Sequence, residues 1–216
     1  MATDKREASW VSRHWPLLSA LGVIALVLAL GVIVTLRGAQ TLEVDAEWME
    51  EIVEHRSPWW RVPSLAMNFV GGGWFGVFVV PIATVVLLVV FRRRWAALYY
   101  AIAAALSAGA VQALKHLFGR TRPQDILITS DFGSFPSGHV ANAATIATAF
   151  AFLIPRVWVW AVGAAYVVLM ALSRTYLGAH WLTDTIGGFL LGAAVAVIVW
   201  VPFAYKLAVE QDDVGG

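Results

Sequence analysis

The sequence of 216 residues contains no cysteine and few charged side chains. The absence of cysteine excludes disulfide bonds, thiolate nucleophiles, iron–sulfur clusters and cysteine-based zinc sites. Only 13% of the residues are charged, whereas soluble domains contain roughly 25%. With 60% hydrophobic residues, the composition predicts an integral membrane protein. The formal net charge of +1 gives no global attraction for nucleic acid, so no nucleic-acid partner is expected.

Six apolar runs are long enough for membrane helices, since a bilayer core of roughly 30 Å takes about 20 helical residues. They cover residues 15–36, 69–91, 95–114, 138–154, 157–173 and 184–205. Only Pro155 and Arg156 separate the fourth run from the fifth. The predicted fold is all-α, a polytopic bundle of six transmembrane helices that forms one domain over residues 1–216. Residues 207–216 are expected to be a frayed tail.

The placement of Lys and Arg predicts which side each loop faces. Counted over all loops, these cations are divided almost equally, but several lie in polar loops that suggest a function. The block Arg92-Arg93-Arg94 between two neighbouring spans is the strongest cytoplasmic marker. Both termini are therefore predicted to be cytoplasmic.

The loop between the first two spans, residues 43–61, combines six acidic side chains with three Trp residues. The spacing of Trp48, Ile52 and Val53 predicts a short amphipathic helix on the outer surface. A solvated connector with aromatic anchors is the favoured interpretation, and a gate for substrate is the alternative.

Three polar clusters border the predicted spans, where ionisable groups are costly and usually mark function. They cover residues 115–123, 136–139 and 173–184, and the predicted topology places all three at the outer face. Three cations with many donors suit a phosphate group. These cations are Lys115, Arg122 and Arg174.

The second and third clusters add groups for catalysis. Ser137 and Gly138 begin a helix, so their backbone N–H groups can bind an anion. His139 and His180 can share the roles of nucleophile and acid. Asp184, four residues after His180, is predicted to share its helical face and to accept a hydrogen bond from its imidazole. Together these groups predict phosphoryl transfer through a phosphohistidine.

Each residue also has a structural interpretation. Cations at helix ends often reach the interface, Ser-Gly often caps a helix, and a His–Asp pair is often structural. A metal site formed by His139, His180 and Asp184 is disfavoured because three cations would repel the ion. His116 is given no role, and Arg120 is undecided between phosphate contact and interface anchoring. The convergence of the clusters favours the catalytic interpretation.

The three clusters resemble the signature motifs of a known family. Residues 115–123 read KHLFGRTRP and fit KxxxxxxRP, residues 136–139 read PSGH, and residues 173–184 read SRTYLGAHWLTD and fit SRxxxxxHxxxD. In this order and without departure at a defining position, they resemble the type 2 phosphatidic acid phosphatase (PAP2) superfamily. The resemblance covers about 70 residues, and the six-span form is similar to bacterial phosphatidylglycerophosphate and undecaprenyl diphosphate phosphatases.

The resemblance implies a role for each motif residue. His180 would be the nucleophile, Asp184 its partner and His139 the acid that protonates the leaving group, without metal or cofactor. The phosphate would be held by the following residues: Lys115, Arg122, Ser137, Gly138 and Arg174. The implied location is the bacterial cytoplasmic (inner) membrane, with the active site facing outward.

The expected substrate is a lipid phosphate, because the clusters lie at the depth of the headgroups while the tails stay in hydrocarbon. Undecaprenyl diphosphate is ranked first, phosphatidylglycerophosphate second and phosphatidic acid third. Transfer of phosphate to another lipid is an alternative within the enzyme class. A lipid-phosphate transporter and a structural membrane subunit, the latter suggested by Gly188-x-x-x-Gly192, are the alternatives from other classes. No oligomeric state is predicted.

Overall fold

A computed structural model describes the backbone of residues 2–37 and 41–215, and side chains within residues 14–37 and 41–211. Every regular element in these ranges is helical, which confirms the predicted all-α class. The α-helices are, in chain order, α1 (Ala2–Leu36), α2 (Glu43–Glu54), α3 (Arg61–Gly71), α4 (Val80–Val90), α5 (Arg94–Phe118), α6 (Gly138–Leu153), α7 (Val157–Tyr176) and α8 (Leu182–Gly215). A 3₁₀ turn, Pro58–Trp60, precedes α3, and a π-helical turn, Phe75–Val79, precedes α4.

Helix α6 lies at the centre of the bundle and is rich in alanine. Its Ala141 belongs to a buried cluster with Tyr100 of α5 and Val195 of α8. Another face places Val140 in a cluster with Met170 of α7. Because small side chains let neighbouring helices approach closely, the start of α6 is enclosed by the ends of its neighbours.

Helix α8 comes close to α6 at Gly188 and Gly192. A Cβ atom at Gly188 would overlap the backbone oxygen of Ser137, and one at Gly192 would overlap that of Ala141. The Gly-x-x-x-Gly motif therefore packs inside this chain, where it holds two of its own helices together. It offers no support for the alternative of a structural subunit.

Four described helical segments are long and apolar enough to cross a membrane: His14–Leu36, Arg94–Phe118, Val157–Tyr176 and Leu182–Gln211. The bent pair Pro58–Gly71 and Phe75–Val90 makes a fifth if it is counted as one span. The structure thus supports four or five candidate spans, whereas the sequence predicts six.

When the bent pair is counted as one span, the remaining difference in span count rests on α6. Its 16 residues extend about 24 Å at 1.5 Å per residue, which is shorter than the roughly 30 Å hydrocarbon core. None of these residues is exposed, because the surrounding helices cover them. A helix enclosed by protein can be shorter than one that faces lipid.

Large apolar side chains cover the outside of the bundle. Leu26 of α1, Ile82 of α4 and Val162 of α7 are all exposed, and each lies within a long apolar segment. An extended apolar surface of this kind is unfavourable in water and suits a hydrocarbon environment. This apolar exterior agrees with the prediction of an integral membrane protein.

The predicted second span, residues 69–91, is interrupted. Helix α3 ends at Gly71, and the chain bends by 48° before it becomes helical again. Gly73 lies in the bend with φ 57°, where glycine is favoured. Asn142 of α6 donates from Nδ2 to the backbone oxygens of Gly71, at 3.3 Å, and Gly76, at 3.0 Å. This amide therefore satisfies carbonyl groups at the break, which would be costly to leave unpaired in an apolar environment.

The last helix remains packed beyond the predicted frayed boundary at residue 207. Leu207 and Glu210 of α8 are buried. The Glu210 carboxylate accepts hydrogen bonds from the N–H groups of Trp95, at 2.7 Å, and Ala96, at 3.0 Å, in the first turn of α5. A negative charge is favourable at a helix start. The prediction of a frayed tail is therefore wrong as far as Glu210.

Candidate active site

The residues predicted for the site lie together at one end of the bundle, where α5 and α7 end and α6 and α8 begin. They are Lys115 and Arg122 at and after the end of α5, Ser137, Gly138 and His139 at the start of α6, Arg174 near the end of α7, and His180 and Asp184 around the start of α8. Two contacts join the clusters directly. The N–H of Ser137 donates to the Asp184 backbone oxygen at 2.9 Å, and Arg122 Nη1 lies 3.3 Å from His180 Nε2.

The start of α6 presents donors that the helix itself does not use. Ala141 N–H donates to the Ser137 backbone oxygen at 3.0 Å, which is the first bond of the helix. The N–H groups of Gly138, His139 and Val140 therefore have no acceptor one helical turn earlier. Ser137 Oγ is buried and lacks a hydrogen-bond partner among the described residues. The positive end of the helix dipole adds to the preference for an anion here.

The imidazole of His180 has a defined tautomer. Its Nδ1 lies 2.8 Å from the Ser134 backbone oxygen, which can only accept a hydrogen bond. Nδ1 therefore carries the proton, and Nε2 keeps its lone pair. Because Nε2 lies on the side of Arg122, this lone pair is directed toward the cationic part of the site.

Asp184 is placed differently from the sequence expectation. His180 precedes α8, which begins at Leu182, so the two side chains do not share a helical face. Asp184 Oδ2 lies 3.6 Å from His180 Nδ1, beyond a hydrogen bond, and accepts instead from the Trp181 N–H at 2.9 Å. The carboxylate is fully buried beside the imidazole. Ser134, which the sequence analysis missed, supplies the direct acceptor through its backbone.

The surroundings of His180 keep its imidazole neutral. Burial lowers the pKa of His180 well below its ordinary value of 6.5, and the positive charges of Arg174, Arg122 and Lys115 lower it further. The hydrogen bond to the Ser134 backbone opposes this shift only in part. A neutral imidazole with a free Nε2 lone pair has the protonation state that a nucleophile needs.

His139 lies at the break in the second span. Its Nε2 is 3.1 Å from the Asn68 backbone oxygen, and a Cβ atom on Gly72 would overlap its ring. The same Asn68 accepts a hydrogen bond through its side-chain oxygen from Arg174 Nη1. Asn68 was missed by the sequence analysis, although an amide within an uncharged run was a usable signal. It joins a histidine and a cation of two different motifs.

Asp131, also missed from sequence, binds two of the three cations. Its carboxylate accepts from Lys115 Nζ at 2.9 and 3.0 Å and from Arg122 Nη2 at 2.7 Å. Burial alone would raise the pKa of Asp131, but the hydrogen bond from Lys115 and the charges of both cations lower it below its ordinary value. The side chain is 60% exposed, so the carboxylate lies at the mouth of the site.

Arg120 neither anchors the protein at the interface nor lies with the three cations predicted to bind phosphate. Its side chain is 7% exposed and bridges two buried carboxylates. Nη1 donates to Asp184, and Nη2 donates to Asp45 Oδ2 at 2.6 Å. Asp45 belongs to α2, so the loop 43–61 is not merely a solvated connector: one of its acidic side chains is fully buried against the site.

A cavity of about 940 Å³ opens at these groups. Its polar end is formed by Lys115, His139, Arg174 and His180. From there it continues between α4 and α5, where the walls are apolar. Phe78, Val85 and Ile82 line one wall, and Ala101, Ala104 and Ala108 line the other. A ligand that fills this cavity would have an anionic head and an apolar body.

A metal site was considered for the acidic and histidine side chains. Among the side chains described, in residues 14–37 and 41–211, no group of three or more His, Cys, Asp or Glu is arranged to hold a metal ion. His139, His180 and Asp184, considered as ligands from sequence, are therefore not such a group. A reaction without metal or cofactor stays a prediction.

These features define a class of protein: a membrane-embedded helical bundle with a histidine at a cationic site and an apolar cavity beside it. A sequence profile described as the PAP2 superfamily matches residues 96–207, just over half of the chain. The chain belongs to the PAP2 superfamily.

Individual relatives agree with this family. YbjG of Escherichia coli (strain K12), provisionally named an undecaprenyl-diphosphatase, is 34% identical over 142 residues, which cover 61% of this chain and 71% of YbjG. Phosphatidylglycerophosphatase B of Bacillus subtilis (strain 168) is 28% identical over 156 residues, covering 67% and 75% of the two chains. A crystal structure of a transmembrane PAP2-type phosphatidylglycerolphosphate phosphatase from Bacillus subtilis matches with a TM-score of 0.74 and 25% identity, covering 87% of this chain and 96% of that one. The chain is a lipid phosphatase of the membrane.

Proposed function

We propose that this protein hydrolyses the terminal phosphate of a membrane lipid through a phosphohistidine on His180. The observation that carries the proposal is the cavity that joins the cationic end, with His139 and His180, to apolar walls between α4 and α5. A soluble phosphate ester would leave those walls in contact with water, whereas a lipid would cover them.

The chemistry uses the neutral imidazole of His180 as the nucleophile and requires that His139 carry the proton for the leaving group. The lone pair of His180 Nε2 attacks phosphorus, and the bond between phosphorus and the leaving oxygen breaks. His139 gives its proton to that oxygen, then takes one from the water that attacks the phosphohistidine. Hydrolysis releases inorganic phosphate and restores both side chains.

The remaining motif residues stabilise charge. Lys115, Arg122 and Arg174 can bind phosphoryl oxygens, and the donors of Ser137 and Gly138 lie beside them. Phosphoryl transfer depends mainly on positioning and on charge stabilisation. Losing one fixed donor in a comparable site lowers the rate by about 100- to 1,000-fold. No step in this scheme needs a metal ion.

Undecaprenyl diphosphate is proposed as the first substrate and phosphatidylglycerophosphate as the second, with phosphatidic acid third. The names of the similar proteins from Escherichia coli and Bacillus subtilis support the first two. The apolar walls of the cavity support a lipid over a soluble phosphate ester. Transfer to a lipid acceptor instead of water is the alternative within the same chemistry.

We also propose six spans, with α6 as the enclosed fourth, and a site that faces outward from the bacterial inner membrane. The positions of the cations support this orientation. Arg93 donates to the Leu153 backbone oxygen at 3.4 Å, and Lys206 lies 3.7 Å from the centre of the Trp95 ring, both at the end of the bundle opposite to the site. With that basic end in the cytoplasm, both termini are cytoplasmic.

The test is phosphate release by purified protein in detergent with EDTA present. The panel contains undecaprenyl diphosphate, phosphatidylglycerophosphate, phosphatidic acid and a soluble phosphomonoester. We expect release from the lipids under chelation and little from the soluble ester. A reaction that stops in EDTA and returns with a metal ion would contradict the metal-free scheme. No release from any lipid, with a His180→Gln protein that still moves lipid phosphate across vesicles, would instead support a transporter.

A further inference from the structure

Arg120 holds two carboxylates with one guanidinium. Asp45 Oδ2 accepts from Nη2 at 2.6 Å, and Asp184 accepts from Nη1. Both carboxylates are fully buried. With both carboxylates ionised, one positive and two negative charges leave an excess of one negative charge in this group, and buried excess charge is costly unless a partner balances it.

The Asp45 carboxylate is also fixed by Thr183 in the first turn of α8. Thr183 N–H donates to Asp45 Oδ1 at 2.8 Å, and its hydroxyl lies 2.7 Å from Asp45 Oδ2. Arg120 Nη1 lies 2.8 Å from the same hydroxyl. Asp45 is therefore held in place by both Thr183 and Arg120. Its negative charge affects the site because Arg120 also binds Asp184.

The excess negative charge faces the Nδ1 side of His180, where Asp184 Oδ2 lies 3.6 Å away. The other titratable or charged groups around this imidazole come from four elements. They are Lys115 of α5, Arg122 of the following loop, His139 of α6 and Arg174 of α7. Asp131 is bound to Lys115 and Arg122 at the mouth of the site. The Asp45–Arg120–Asp184 group thus provides the negative charge on the Nδ1 side.

We propose that Asp45 is a positioning residue for this reaction. By binding half of the Arg120 guanidinium, it prevents Arg120 from fully neutralising Asp184. When Nε2 forms its bond to phosphorus and the leaving oxygen departs with a proton from His139, the imidazole still carries the proton on Nδ1 and becomes cationic. Asp184 then balances this charge. The inference rests on the proposed role of His180 as nucleophile.

The test is the charge-removing Asp45→Asn substitution, which keeps the shape of the side chain. Removing one negative charge near His180 disfavours the cationic imidazole, so the acidic limb of kcat/KM against pH should move to lower pH by about one unit. The kcat should fall about tenfold for the same reason. KM should change by less than about twofold, because Asp45 does not line the cavity. Thr183→Val is the matched control, since it removes hydrogen bonds from the same group without changing its charge.

Two further variants distinguish charge from structural support. Arg120→Gln raises the negative excess, so its acidic limb should move to higher pH. Combining it with Asp45→Asn restores the wild-type net charge, and the limb should return toward its wild-type position. Should Asp45→Asn alone not fold, the comparison of Arg120→Gln with the double variant carries the test, because these two proteins differ only at Asp45. The melting temperature of every variant is measured in the same detergent.

An unmoved acidic limb in the charge variants, or a Thr183→Val limb that moves as far as that of Asp45→Asn, would show that Asp45 only supports the fold. That result would leave the proposed function intact, provided that His180→Ala is inactive. If the wild-type protein hydrolyses no lipid phosphate, or if His180→Ala retains full activity, the proposed function fails, and the inference about Asp45 fails with it.

Discussion

Both carboxylate oxygens of Asp131 accept hydrogen bonds from Lys115 Nζ, at 3.0 and 2.9 Å. The same carboxylate binds Arg122, so a side chain of the protein occupies donors that a substrate phosphate is proposed to use. Phosphate and Asp131 therefore compete for two cations. This contact has a direct consequence for the affinity of the site.

Asp131→Asn should make the protein more sensitive to inorganic phosphate. Since Asp131 is largely exposed, the gain should resemble that of a surface ion pair, about two- to fivefold in the inhibition constant. The measurement is inhibition of lipid hydrolysis by inorganic phosphate at constant ionic strength. Asp125→Asn is the control, because Asp125 lies in the same loop and its backbone oxygen, not its carboxylate, is contacted by Arg56. Weaker inhibition of Asp131→Asn would mean that Asp131 orders the cations for phosphate instead of competing with it.

His180→Ala should abolish turnover, because the proposed attack on phosphorus uses the Nε2 lone pair of His180. Loss of a nucleophile lowers kcat by about four or more orders of magnitude. Asp184→Asn should weaken turnover without abolishing it. Phosphate release in single-turnover and steady-state assays checks both. His116→Ala is the matched control: His116 is exposed, its Nδ1 lies 2.8 Å from the Gln112 backbone oxygen, and its removal should leave activity unchanged. Equal activity in His180→Ala would exclude the phosphohistidine.

The stability of the protein should fall as pH decreases below about 6.5, in part because of His180. Its pKa is lowered in the folded protein, so the unfolded chain binds more protons between the folded pKa and the ordinary value of 6.5. Stability from this group is fully present above that range and is lost as pH falls through it. Melting temperatures measured in detergent at pH 7.5 and 5.5 give the change of stability with pH for wild type and for His180→Gln. If the melting temperature changes equally in the two proteins, His180 makes no such contribution.

Gly192→Ala should destabilise the bundle. The added Cβ atom would overlap the Ala141 backbone oxygen, so α8 and α6 would have to separate. Overpacking of this kind costs about 1–3 kcal/mol, and backbone contact leaves little room for relaxation. Gly109→Ala in α5 is the control, because a Cβ atom there meets nothing within 4 Å, and it should be neutral or stabilising by up to about 1 kcal/mol. Thermal unfolding in detergent distinguishes the two, and similar melting temperatures would show that the helices can move apart without cost.

The sequence carries much of the site because its motif residues lie next to helix ends. Lys115 lies in the last turn of α5 and Ser137 precedes α6, so local hydrophobic patterning is enough to place both at an end of an apolar helix. The fixed spacing within each motif then identifies the residue types that suit phosphate. The order of the spans brings the three boundaries to the same side.

The parts that the sequence did not reveal depend on contacts between distant segments. Asp45 meets Arg120 across 75 positions, and Asn68 meets Arg174 across 106. Nothing in the local pattern around Asp45 distinguishes it from the exposed acidic residues of the same helix. The break after Gly71 was missed for a different reason: the run Gly71-Gly72-Gly73 marks it, but the span was predicted from hydropathy, which does not register a bend.

The contact between Gly72 and His139 affects which substitutions are tolerated at position 72. Any base substitution that replaces this glycine adds a Cβ atom, which must displace the imidazole tip of His139 rather than a backbone atom. A library selected only for folded, membrane-inserted protein should therefore accept residues at position 72 that a library selected for lipid hydrolysis rejects. At Gly192 both selections should reject the same residues, since there the backbone itself is in the way.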